Sequence, residues 1–86
     1  MIVRESRVNR SSARVCQTDK GTAILYSYST PVVAIDQDQN VTIADAWNIS
    51  VTTQKHIRVV FGWYAKDVRG MLASGRATLV DRIMVD

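Results

Sequence analysis

A chain of 86 residues that is 47% hydrophobic has room for one small domain and too much apolar content to be disordered throughout. Its one cysteine, Cys16, excludes an internal disulfide and lacks the clustered partners of a zinc site, so it reads as a small apolar strand residue in a reducing cytosol. A net charge of +3 does not by itself argue for nucleic acid, no apolar run has the length of a membrane span, and Met1–Glu5 lacks a signal peptide's apolar core; the expectation is a cytoplasmic protein with no membrane contact.

The distribution of charge says more than its sum. Residues 1–20 and 55–86 each carry +3, whereas residues 21–54 hold Asp36, Asp38 and Asp45 and no lysine or arginine. Such segregation points to a bipolar surface and to a partner with an acidic face.

Residues 1–12 show no clean period and read as a basic N-terminal arm ahead of a single small α+β domain over 13–86. Arg4, Arg7, Arg10 and Arg14 are the nucleic-acid candidates, since arginines on an arm contact phosphates. A flexible tail, or a short helix with the arginines along one side, are the other readings.

Ala13 to Thr18 reads as a strand, and Asp19-Lys20-Gly21 as a turn. Thr22 to Ser29 is the next strand, with Tyr26 and Tyr28 expected on one face. Pro31 lacks an N–H to donate and should break or bend the ladder before a strand over Val32 to Asp36. Asp36-Gln37-Asp38-Gln39-Asn40 is a polar turn; without a following glycine or a late glutamate it is not a calcium loop. Val41 to Ile43 is a short strand, and the segment from Trp47 reads as another that ends in a helix cap. The expected class is therefore α+β: a small antiparallel sheet of four to five strands packed by one main helix over about 53–69.

The helix rests on spacing. Ile57, Val60, Phe61, Tyr64 and Val68 recur at three- and four-residue steps and would share one apolar face. Thr53 is the expected N-cap and Gly70 the expected stop, with Gly62 a weak point of roughly 1 kcal/mol inside. On the opposite face Lys55, Arg58, Lys66 and Arg69 form a basic stripe with Val59 and Trp63 beside it. A tryptophan among cations is the pattern of a partner-binding surface; a solvated helix face is the plainer reading. After Gly70 comes a connector, then Arg76 to Val85, which alternates partly and reads as a final strand or a second helix.

A helix start at Thr53 would put Lys55 and His56 in the first turn, where cations oppose the helix dipole unless an anion binds the free N–H groups. Thr52, Thr53, Lys55 and His56 are thus the anion-site candidates, for a phosphate or a partner's carboxylate. Otherwise His56 is neutral and packed and the threonines only cap. A Cys16–His56 catalytic pair would need the fold to bring the two together.

Two stretches, Tyr26-Ser27-Tyr28-Ser29-Thr30-Pro31-Val32 and Ser50-Val51-Thr52-Thr53-Gln54-Lys55-His56-Ile57, resemble small uncharacterised proteins of bacteriophages and their bacterial hosts. Those carry a "YSYxTPV" stretch, a short turn, an aromatic, then "SVTTxKHI" entering a helix. The resemblance covers roughly residues 20–60, and the last third departs from it. It implies a phage-type accessory protein with a compact α+β fold, and no particular chemistry.

No glycine-rich phosphate loop, paired glutamates or nucleophile elbow is present, so neither an enzyme nor a cofactor or metal site is expected. Three roles follow: an accessory protein that binds a host or viral protein, a nucleic-acid-binding module, or a virion structural component that forms homo-oligomers.

Overall fold

The computed structural model describes residues 1–8 and 12–84. Among these, a six-stranded sheet runs in chain order: β1 (Ile2–Arg7), β2 (Ala13–Thr18), β3 (Ala23–Ser27), β4 (Thr30–Ile35), β5 (Val41–Ala44) and β6 (Ala77–Val80). β1 to β5 form an antiparallel meander, and β6 returns parallel to β5. A parallel return needs a crossover. It is made by a 3₁₀ turn at Asp45–Asn48 and two helices, α1 (Val51–Phe61) and α2 (Ala65–Ala73).

The class is α+β, with two corrections to its parts. The sheet is mixed and six-stranded where four to five antiparallel strands were expected. Part of the difference is β1, which occupies the expected arm: it pairs with β2 from Ile2↔Thr18 to Arg7↔Arg14. Its six residues are all exposed, so it shows no apolar alternation. The expected strand at Trp47 is instead the 3₁₀ turn, with Trp47 buried.

The second correction concerns the helix. The expected span of about 53–69 is two helices, because Gly62 adopts φ +77° and closes α1 in the left-handed conformation. Its N–H donates to the Arg58 carbonyl at 2.7 Å. Tyr64 then opens α2, its N–H donating to Asp67 Oδ2 at 2.8 Å. Tyr64 is therefore exposed and off the apolar face, while Ile57 and Val68 are buried on separate helices. Gly70 lies inside α2. At the other end Ser50, not Thr53, caps α1, its Oγ accepting from Thr53 N–H at 3.1 Å.

Strand alternation sorts the side chains onto two faces. The helix side joins Ala13, Leu25, Val33 and Ile43 to Trp47, Ile57 and Val68 in the main core, with Val60, Phe61, Trp63 and Leu72 packed against it. The far side carries a second cluster of Cys16, Ile24, Tyr26, Ala34 and Ala44, to which the chain end contributes Ile83. Burial raises the pKa of the Cys16 thiol, which suits its place as an apolar packing residue.

Pro31 bends the ladder without ending it. Leu25 pairs with Val33 but Tyr26 with Pro31, so Val32 is an extra residue in a bulge. Tyr26 and Tyr28 do not share a face: Tyr26 is buried on the far side, and Tyr28 sits in the β3–β4 turn at φ 58°. The Asp36–Asn40 turn closes on itself, with Asp36 Oδ1 accepting from the N–H groups of Asp38 and Asn40, each at 2.9 Å. Those bonds hold the Asp36 carboxyl below its ordinary pKa. The final strand spans only Ala77–Val80; of the expected 76–85 span, Val85 lies outside the described residues.

Candidate functional site

The two stretches that carry the phage-protein resemblance meet in space. β3 ends at Ser27, whose Oγ turns to the helix side as Leu25 does. α1 places Thr53 and His56 one turn apart over it. Ser27 Oγ lies 3.1 Å from Thr53 Oγ1 and 2.9 Å from His56 Nδ1. Ser50 Oγ in turn donates to Thr53 Oγ1 at 3.1 Å. The cap, the helix and the strand are thus tied by one chain of hydroxyls ending on an imidazole. Buried polar groups are costly unless bonded, and the buried Ser27 and Thr53 hydroxyls and His56 Nδ1 are each partnered within this chain of bonds.

His56 is 6% exposed. Burial first, and then the charge of Lys55, lowers its pKa from the ordinary 6.5, so the ring is neutral at neutral pH. Only Nδ1 is bonded. The one fully enclosed side-chain nitrogen or oxygen without a partner among the described residues is Arg14 Nε, so Nε2 of His56 is not sealed off.

His56 lines an open cleft of about 440 Å³ between α1 and the sheet end, walled by Val8, Ser12, Tyr28, Thr52, Lys55 and Val59. Tyr28 stands at its mouth, its ring centroid 5.9 Å from that of His56 and tilted 55°. A φ of 58° is a conformation that L-residues adopt at a cost, and such positions cluster at functional sites. It is fixed by Tyr28 N–H donating to the Ser12 carbonyl at 2.9 Å.

Of the anion candidates, Thr52, Lys55 and His56 come together in this cleft. Thr53 lies buried behind them. The helix N-terminus, however, is not what gathers them. With Ser50 as cap, Lys55 and His56 fall in the second turn of α1, away from the free N–H groups at its start.

The expected basic stripe is divided by the break at Gly62. Lys55 and Val59 face the cleft; Arg58 lies over the Tyr64 ring at 5.6 Å. Lys66 borders a separate hollow with Trp63 and Arg76, and Arg69 lies over Trp47 at 5.7 Å. Trp63 is half-buried and stacked on Phe61, centroids 4.7 Å apart.

The arginine candidates disperse as well. In β1, Arg7 points to the far side with Arg14, and Arg4 to the helix side. Arg14 is ion-paired with Glu5 at 3.0 Å and lies over Tyr26 at 4.8 Å. Arg7, Arg14 and Glu5 line a shallower hollow of about 310 Å³ that shares Tyr28 and Ser12 with the cleft. Arg10 lies outside the described residues. Cys16 and His56 are on opposite faces of the sheet and form no pair.

Ser27, Tyr28 and Ser50 were not among the sequence candidates. A signal for Ser27 existed: a serine at an inward strand position needs a partner, and His56 beside Ile57 on the helix is one. Beside the cleft, Val51, Lys55 and Val59 follow one another at four-residue steps on α1 and are exposed, the valines at 82% and 46%.

Residues 2–74 match the family model described as Family of unknown function (DUF8033), and the chain belongs to that family. No curated protein and no solved structure matches the chain.

Proposed function

We propose that this member of the family is a small, non-catalytic accessory protein of phage type. It acts in the bacterial host cytoplasm by docking on a host or viral protein. The observation that carries the reading is the exposed Val51–Lys55–Val59 face of α1, which borders a cleft with a buried histidine. Two valines flanking a cation give a partner apolar area and one point of charge selection. Lys55 makes no ion pair among the described residues, so its charge is available to an acidic partner. Ser27 lies behind His56 and is 3% exposed, which supports a structural hydroxyl and not a nucleophile.

One observation favours the nucleic-acid alternative. Arg7 and Arg14 lie on one side of the exposed Tyr28 and Lys55 on the other, a cation-flanked aromatic of the kind that holds single strands. The Arg14–Glu5 pair and the opposite placement of Arg4 weigh against it. The test is retention from bacterial lysate by tagged protein, with and without nuclease. Docking predicts a discrete protein that survives nuclease and is lost with Val59→Asp. Retention that disappears with nuclease would establish the alternative.

A further inference from the structure

We infer that the cleft is a carboxylate site, in which Lys55 Nζ supplies the charge and His56 donates a hydrogen bond from Nε2–H. The acceptor would be an acidic side chain or a terminal carboxylate of the partner. This inference deepens the docking reading and rests on it for the partner, although the site can be tested with no partner present.

The hydroxyl protons fix the histidine tautomer. Ser50 Oγ donates to Thr53 Oγ1, so the Ser50 proton is used. Among the described residues the Thr53 hydroxyl then has one acceptor, Ser27 Oγ, at 3.1 Å. The Ser27 hydroxyl in turn has one acceptor left, His56 Nδ1, at 2.9 Å. A neutral imidazole that accepts at Nδ1 carries its proton on Nε2. The chain of hydroxyls therefore fixes the tautomer and presents an N–H donor to the cleft. His56 is more than nine-tenths buried and Nε2 has no partner among the described residues.

The ligand class follows from the wall. Among the described residues Lys55 is the one cationic side chain lining the cleft; Ser12 and Thr52 add hydroxyls, and Val8, Val59 and the Tyr28 ring are apolar. One charge and one fixed donor match a monoanion with two acceptor oxygens. A phosphate dianion would be matched by more cations than the described lining of this cleft contains.

His56 is the only histidine, so with the affinity tag removed its ring nitrogens are unambiguous in a 15N-labelled sample. The proposal predicts the Nε2–H tautomer above neutral pH and a saturable Nε2 shift on titration with sodium formate. Lys55→Ala should weaken formate binding by at least ~10-fold, the loss of one charge-assisted contact. Ser27→Ala should release the tautomer, and if it fails to fold, the wild-type and Lys55→Ala titrations decide alone. An Nδ1–H tautomer, a formate response that does not saturate or ignores Lys55→Ala, or tighter binding of inorganic phosphate would each overturn it. A formate site with no retained protein would sink the docking reading and leave this one standing.

Discussion

Tyr28 holds a backbone conformation that costs a non-glycine residue about 1–2 kcal/mol, and the turn it closes needs no tyrosine. Asparagine tolerates that conformation better. Tyr28→Asn is therefore expected to leave stability unchanged or raise it by up to ~1 kcal/mol in urea unfolding, while retention of the partner falls. A loss of more than that in stability would mark the ring as structural. Ser27→Ala behaves differently: it strands Thr53 Oγ1 and His56 Nδ1 and should cost about 1–3 kcal/mol. The histidine also sets a pH dependence. Its pKa is about 6.5 in the unfolded chain and lower in the folded one. Between the two values the unfolded chain binds a proton that the folded chain does not. Stability from this group is thus complete above about pH 6.5 and declines as pH falls toward the folded pKa. Asp36, also depressed, acts below its ordinary 3.8 and leaves that window clear. Urea midpoints against pH should bend near the unfolded value in the wild type and not in His56→Gln. At this scale the sequence made His56 and its neighbours visible, since residue types and helical steps are local. It hid Ser27 and Tyr28 as partners, because a strand end and a helix 26 to 29 residues away meet only through the fold.

The helices show how one glycine reverses two expectations. Periodicity alone carries the pattern from Ile57 to Val68 without a break, since either side of Gly62 supplies apolar residues. What decides is the backbone: Gly62 ends α1 at φ +77°, and Gly70 is an interior residue of α2. Neither would meet another atom within 4 Å if a Cβ were added, so sterics with neighbours play no part. Gly62→Ala should then destabilise by about 1 kcal/mol, through backbone strain alone. Gly70→Ala should stabilise by about 0.5–1 kcal/mol. A single helix over 53–69 would reverse both signs, so one pair of denaturation curves separates the two architectures. The strands β2 to β5 were legible because apolar, β-branched and aromatic residues run between turn signals there. β1 was not, because an edge strand exposed along its whole length is held by backbone pairing that leaves no mark in hydropathy. Its arginines and glutamate also suit an edge that does not pair further.

Across the whole molecule the meander sets which charges share an end of the sheet. The β2–β3 and β4–β5 turns fall at one end of the sheet, where Asp19, Asp36 and Asp38 lie and Gly21 approaches Gln37. The β3–β4 turn falls at the other end with the cleft, and Arg7, Arg14 and Lys55 gather there. The sequence showed a difference in charge between segments; which charges share an end of the sheet it did not show, because strand direction puts Lys20 in the turn with Asp19 and brings Asp45, after β5, to the cleft end. No helix of the described residues is long and apolar enough to cross a membrane. A partner steered to the cationic end should bind more weakly as salt rises, with a shallower dependence than several phosphate contacts would give. The most direct test compares charge reversals on the two helices in the nuclease-treated retention assay. Lys55→Glu, on the proposed face of α1, should abolish retention of the partner with an unchanged melting temperature, while Lys66→Glu, on α2, should leave retention intact. Equal loss in both, or loss with Lys66→Glu alone, would contradict the account and return the binding surface to α2 and its Trp63 hollow.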